Sequence, residues 1–67
     1  MTPPTPSDIR AAREATDLTQ TQAAALIGRH LRIWQRYETG QVVIDPLLWQ
    51  VWLIRAGLAE PATILDA

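Results

Sequence analysis

Arg29, His30, Arg32, Gln35 and Arg36 fall between positions 29 and 36, with no acid among them. Guanidinium groups gathered in this way attract phosphate and donate hydrogen bonds in a fixed fork. The same arginines could merely solubilise an exposed face, so the elements that hold them decide their meaning. Total charge gives little help, with a formal net charge of −1 over 67 residues and a pI near 5.6. The acids lie elsewhere, at Asp8, Glu14, Asp17, Glu38, Asp45, Glu60 and Asp66. Because salt confines electrostatic attraction to roughly 8–10 Å, this distribution disfavours indiscriminate coating of a polyanion and permits one focused basic patch.

Other chemistries find few residues. Cysteine is absent and His30 is the single histidine, which excludes a disulfide scaffold, a thiolate metal site and a histidine cluster. Ser7 is the single serine, and it stands at a helix start with no base in view. No paired carboxylates stand at catalytic spacing. The expectation is a protein without catalysis, metal, cofactor or small-molecule substrate. The longest apolar stretch, Pro46 to Ile54, is too short to span a bilayer and is interrupted by Gln50. The N-terminus has no charged-then-apolar export pattern. A soluble cytoplasmic protein is therefore expected.

The length admits one small domain. Residues 1–4 read as a disordered lead-in and residues 5–67 as a single unit. Thr5-Pro6-Ser7-Asp8 combines a capping threonine, a proline at the first helical position and an acid that closes a capping box. The helix it opens runs through Ile9, Ala12 and Arg13 to about Thr16. Thr19 with Gln22 repeats the signal, followed by Ala23, Ala24 and Ala25, with Ala23, Ala24 and Ile27 as a narrow apolar face. Gly28 stops this second helix. A third runs from about Leu31 to Thr39, turns Ile33, Trp34 and Tyr37 inward, and ends at Gly40. The β-branched loop Gln41 to Ile44 could run extended. Asp45-Pro46 opens a fourth helix to about Ala56, stopped by Gly57, and the tail with Pro61 could add one more turn. The fold class is all-α, with four or five short helices.

The second and third helices, joined by Gly28-Arg29-His30, meet the requirements of a helix-turn-helix spanning about 19–38. A crossing at about 90–120° needs a small residue on the first helix, which is Ala24, and a glycine in the turn, which is Gly28. Trp34 and Tyr37 anchor the second helix from its inner face. The run Leu18-Thr19-Gln20, Ala24, Gly28 and Tyr37-Glu38-Thr39-Gly40 resembles the phage Cro and repressor family, also called the XRE helix-turn-helix family. The resemblance covers roughly Ile9 to Leu58.

It implies a compact lambda-repressor-like domain that binds double-stranded DNA. Gln20, Arg29 and His30 would contact phosphate. The third helix would enter the major groove and read bases with Leu31, Arg32, Gln35 and Arg36. Either arginine could grip a guanine through O6 and N7, Gln35 could pair with adenine, and Leu31 could touch only a thymine methyl. Arg13 and Glu38 would form a structural pair joining the first helix to the end of the third.

The fourth helix, about 46–56, is apolar nearly all round, and a domain this small offers one core. A homodimer through Leu48, Trp49 and Trp52 is expected, unless the tail from Pro61 to Leu65 folds back over the surplus. The resemblance then implies a repressor acting on an inverted-repeat operator in a bacterial or phage-infected cell, associated with the nucleoid. An antitoxin that presents the fourth helix to a toxin is the rival reading, and a protein-interaction module without DNA binding is a third.

Overall fold

A computed structural model describes residues 2–60, in which four helices and no strand occur. Three of the four helices begin where a side chain satisfies backbone N–H groups that have no partner within the helix. Helix α1, Pro6–Ala15, starts with a reciprocal box in which Asp8 N donates to Thr5 Oγ1 at 3.1 Å and Thr5 N donates to Asp8 Oδ2 at 3.0 Å. Helix α2, Gln20–Ala25, repeats the arrangement: Gln22 N donates to Thr19 Oγ1 at 3.1 Å and Thr19 N to Gln22 Oε1 at 2.9 Å. Helix α4, Pro46–Arg55, is capped by Asp45 Oδ1, which accepts from Leu47 N and Leu48 N at 2.8 and 3.2 Å.

Helix α3, Leu31–Thr39, begins differently. His30 occupies its cap position, but the imidazole makes no capping hydrogen bond. The helix is held instead by what it packs against. It lies against both α1 and α2, and it ends at Gly40, whose φ of +84° is left-handed. A Cβ there would meet Pro6 Cγ at 3.3 Å, so glycine serves both the backbone turn and the close approach of α1. Asp17, in the turn between α1 and α2, also sits at positive φ, 56°, a conformation that aspartate tolerates better than most residues.

The core comprises Ile9 from α1, Ala23 and Ala24 from α2, Ile27, Trp34 and Tyr37 from α3, Ile44, and Trp49 and Trp52 from α4. Ala23 and Ala24 are fully buried, and their small side chains let α3 and α4 approach the α2 backbone. The aromatic groups form a continuous ladder. Trp34 meets Tyr37 edge-on at 5.9 Å and Trp52 at 5.3 Å, and Trp52 stacks almost parallel on Trp49 at 5.1 Å. Aromatic pairs at these separations contribute about 0.5–1.5 kcal/mol each beyond the area they bury.

This ladder corrects the expected dimer surface. Trp52 is completely buried and Trp49 is 8 % exposed, so both face this chain's own core and neither offers a ring to a second copy. Trp52 is fixed further by its indole Nε1, which donates to Ala23 O at 2.9 Å. Arg55 Nη1 donates to Leu26 O at 2.6 Å, so α4 grips the end of α2 at two carbonyls. Leu48 is half-buried and packs on the core. The outward apolar side chains are instead Val43, Leu47 and Leu58. The loop Gln41–Ile44 contains bends rather than a strand, and Ile44, absent from the expected core, is fully buried. The tail from Pro61 to Leu65 lies outside the described residues.

Candidate nucleic-acid interface

The site is best approached from its buried side. Among the described residues Glu38 is the single charged one in the core, 4 % exposed. A bare carboxylate would cost several kcal/mol in such a place, and here four side chains converge on it. Arg13 donates from Nε to Oε2 at 2.6 Å and from Nη2 to Oε1 at 3.2 Å. Gln20 Nε2 donates to Oε1 at 3.3 Å, the Trp34 indole N–H donates to Oε2, and Arg10 approaches Oε1 at 3.6 Å. Burial pushes the Glu38 carboxyl upward, but the hydrogen bonds from Arg13, Trp34 and Gln20, with the Arg13 charge, outweigh it and hold it below its ordinary value. The hydrogen bond to Glu38 in turn raises Arg13 above the ordinary arginine value, against the opposing effect of burial.

The expected Arg13–Glu38 pair is therefore present, within a larger hub joining α1, α2 and α3. Arg13 Nη1 also donates to Leu18 O at 3.1 Å, tying down the turn before α2. The indole–carboxylate bond follows from the four-residue spacing of Trp34 and Glu38, which places them on one helix face, and that spacing could have revealed it in the sequence.

The hub fixes the opposite face of α3. Leu31, Arg32, Gln35 and Arg36 are all exposed, as are Arg29 and His30 before the helix. His30, Leu31, Arg32 and Gln35 line one shallow surface depression. A second, lined by Arg32, Gln35, Arg36, Thr39 and Gln41, continues it along the helix. Thr39 and Gln41 thus join the surface, although the sequence reading did not single them out. No acid lines either depression, because the one carboxylate of α3 points inward and is neutralised there. Nearby acids Glu14 and Asp17 line a different depression with Arg13, Leu18 and Thr19.

Gln20 departs from the simple expectation of a side chain held out to phosphate. Its amide donates to Glu38 and its Oε1 accepts from Gln35 Nε2 at 3.5 Å. As the first residue of α2 its backbone N–H has no acceptor within the helix, and that N–H is the group it can offer to an anion.

Two short helices packed together, the first burying Ala23 and Ala24 and the second presenting a basic outer face, define a helix-turn-helix of the DNA-binding class. A family model described as a helix-turn-helix domain matches residues 7–52, well over half of the chain, and the protein belongs to that family. No curated protein matches the sequence. No group of three or more histidine, cysteine, aspartate or glutamate side chains among the described residues could hold a metal ion. No described helix is long and apolar enough to cross a membrane.

Proposed function

We propose that this protein is a sequence-specific transcriptional regulator of the Cro and repressor type, acting in the cytoplasm as a homodimer on an inverted-repeat operator. The observation that carries the reading is the division of α3 between a fixed inner face and an exposed outer face. Arg32, Gln35 and Arg36 stand exposed without an acid beside them, on a helix whose back is held by Trp34, Tyr37 and Glu38. Arg32 and Arg36 read guanine, Gln35 reads adenine or holds phosphate, and Leu31 packs on a thymine methyl. Arg29, His30 and the Gln20 backbone N–H bind the flanking phosphates. Two such helices related by a two-fold axis would enter major grooves about 34 Å apart. Occupying a promoter would then repress it, with no catalytic step and no cofactor.

Selection from a random duplex pool at near-physiological salt, with sequencing of the bound fraction, tests the proposal. Enrichment of an inverted repeat with half-site centres about 10 bp apart is expected. A folded protein that enriches no sequence would sink it. The exposed apolar side chains Val43, Leu47 and Leu58 favour a second reading, an antitoxin whose fourth helix meets a toxin and whose DNA binding is autoregulatory. Co-elution of a candidate toxin with the protein on a sizing column would favour that reading.

A further inference from the structure

Of the 6 basic residues, all of them arginine, Arg10 is the one whose purpose is still open. Arg29, Arg32 and Arg36 stand at the proposed interface, Arg13 is spent in the hub, and Arg55 holds Leu26 O. Arg10 lies on α1 with its side chain 58 % exposed, and its approach to Glu38 Oε1 is long, at 3.6 Å. Its guanidinium makes no hydrogen bond among the described residues.

Glu38 does not need that approach. A carboxylate offers about four lone-pair sites. Arg13 Nε and the Trp34 indole take those of Oε2, and Arg13 Nη2 and Gln20 Nε2 take those of Oε1. Arg13 also balances the charge of Glu38, so Arg10 is a surplus positive charge beside a satisfied carboxylate. An exposed pair of this kind is worth little and gives way readily. Glu14, one turn further along α1, makes no ion pair with Arg10 among the described residues.

The surroundings give the surplus charge a direction. Arg10 and Gln20 approach the same oxygen, and Gln20 Oε1 accepts from Gln35 on the outer face of α3. Arg10, Gln20 and Gln35 therefore form a row across three helices, which carries the basic surface of α3 back to α1. Arg13 cannot serve at that end of the row. Its Nε, Nη1 and Nη2 are all engaged, and its side chain is only 18 % exposed.

We infer that Arg10 is a phosphate contact of the DNA interface, resting against Glu38 in the free protein and turning to the duplex backbone when DNA is bound. The inference rests on the DNA-binding reading and extends its phosphate contacts to α1. A guanidinium can take a phosphate through two parallel N–H bonds, which the filled Glu38 carboxylate cannot offer it. Glu38 keeps its four hydrogen bonds when Arg10 leaves, so α3 stays fixed while the contact forms. Such a contact positions the protein and carries no sequence information.

The test compares wild type, Arg10→Ala and Arg10→Lys across a salt series, on the duplex enriched by selection and on a scrambled duplex of the same composition. Arg10→Ala is expected to bind both duplexes more weakly by a similar factor, roughly threefold or more at near-physiological salt. The slope of log affinity against log salt should fall by about one. Arg10→Lys should keep most of that slope, because an ammonium still neutralises a phosphate. Thermal unfolding separates contact from support, and Arg10→Ala should melt as the wild type does. A scan of single methylphosphonate linkages, each removing one phosphate charge, then locates the contact. One linkage should weaken the wild type and leave Arg10→Ala unaffected. Wild-type affinity and slope in Arg10→Ala overturn the inference, as does equal sensitivity of the two proteins at every linkage. A lowered melting temperature with an unchanged slope overturns it too, by making Arg10 a structural partner of Glu38. In those cases selective binding that depends on Arg36 leaves the DNA reading standing. A wild type that selects no duplex sinks both.

Discussion

Helices α3 and α4 are nearly equal in length, 9 and 10 residues, and each contributes two aromatic rings to the same ladder, yet they treat solvent in opposite ways. The outer face of α3 is polar and basic, and among the described residues its side chains make only the long Gln35–Gln20 contact and the bond of Thr39 Oγ1 to Arg36 O. The outer face of α4 is mostly apolar. A polar face held rigidly from behind suits a polar surface that must be read in register. An apolar face suits burial against another apolar surface. In α3 the inward carboxylate of Glu38 keeps the two roles apart, since the same charge on the outer face would repel phosphate.

Four substitutions probe this contrast. The largest effect is expected from Trp52→Ala, which removes the centre of the ladder and the bond to Ala23 O. A loss of about 3–5 kcal/mol in unfolding free energy is expected from chemical denaturation. A loss below about 1 kcal/mol would show that α4 contributes little to holding α3. Glu38→Ala comes next, on the order of 3 kcal/mol, because it leaves Arg13 uncompensated in a partly buried place. A double-mutant cycle with Arg13→Ala should show clear coupling, and coupling below roughly 0.5 kcal/mol would reject the hub as a unit.

The same residue sets an acid limit. Its carboxyl is held below the ordinary value when folded, so its contribution is fully present above the ordinary glutamate range. That contribution is lost as pH falls through this range toward the depressed value. Denaturation across acid pH should show stability falling in that direction for the wild type, with a shallower fall for Glu38→Gln.

Arg36→Ala addresses the outer face of α3 alone. It should cost about 1–3 kcal/mol at the base pair that the arginine reads and leave the melting temperature nearly unchanged. Equal weakening on every sequence would assign Arg36 to phosphate instead. The smallest effect is expected at Asp17, whose carboxylate lies in the turn before α2. Asp17→Asn preserves the left-handed backbone and removes a charge near the proposed phosphate contact. Duplex affinity should rise about two- to threefold at low salt, and the gain should shrink as salt is added. An unchanged affinity would place the DNA backbone away from this turn.

Local signals were legible because their partners lie within a few residues. Thr5 with Asp8, Thr19 with Gln22, and Asp45 before Pro46 each mark a helix start that the structure reproduces. The inner face of α3 was legible from the spacing of Trp34 and Tyr37. The Arg13–Glu38 pair came from the resemblance rather than from spacing; the Trp34 donor was open to reading from its four-residue spacing to Glu38, and Gln20, 18 positions away, emerged only with the fold. Helix α4 resisted, because apolar residues on nearly every side leave no periodicity to orient it. Pattern alone therefore leaves Trp49 and Trp52 free to face outward, and packing turns them in. The contacts Trp52–Ala23 and Arg55–Leu26 span 29 positions each, and no local pattern announces a bond of that range.

The chain has three tryptophans, and all of them stand in the one ladder. Its ultraviolet emission therefore reports on a single place, the seam where α4 meets α3. The nearly parallel rings of Trp49 and Trp52 should couple their transitions and give a distinct near-ultraviolet dichroism that vanishes when the seam opens. A ligand on the outer face of α3 would leave that signal almost untouched, whereas separation of α4 would abolish it. The protein thus carries a built-in optical gauge that distinguishes occupancy of one helix from detachment of the other.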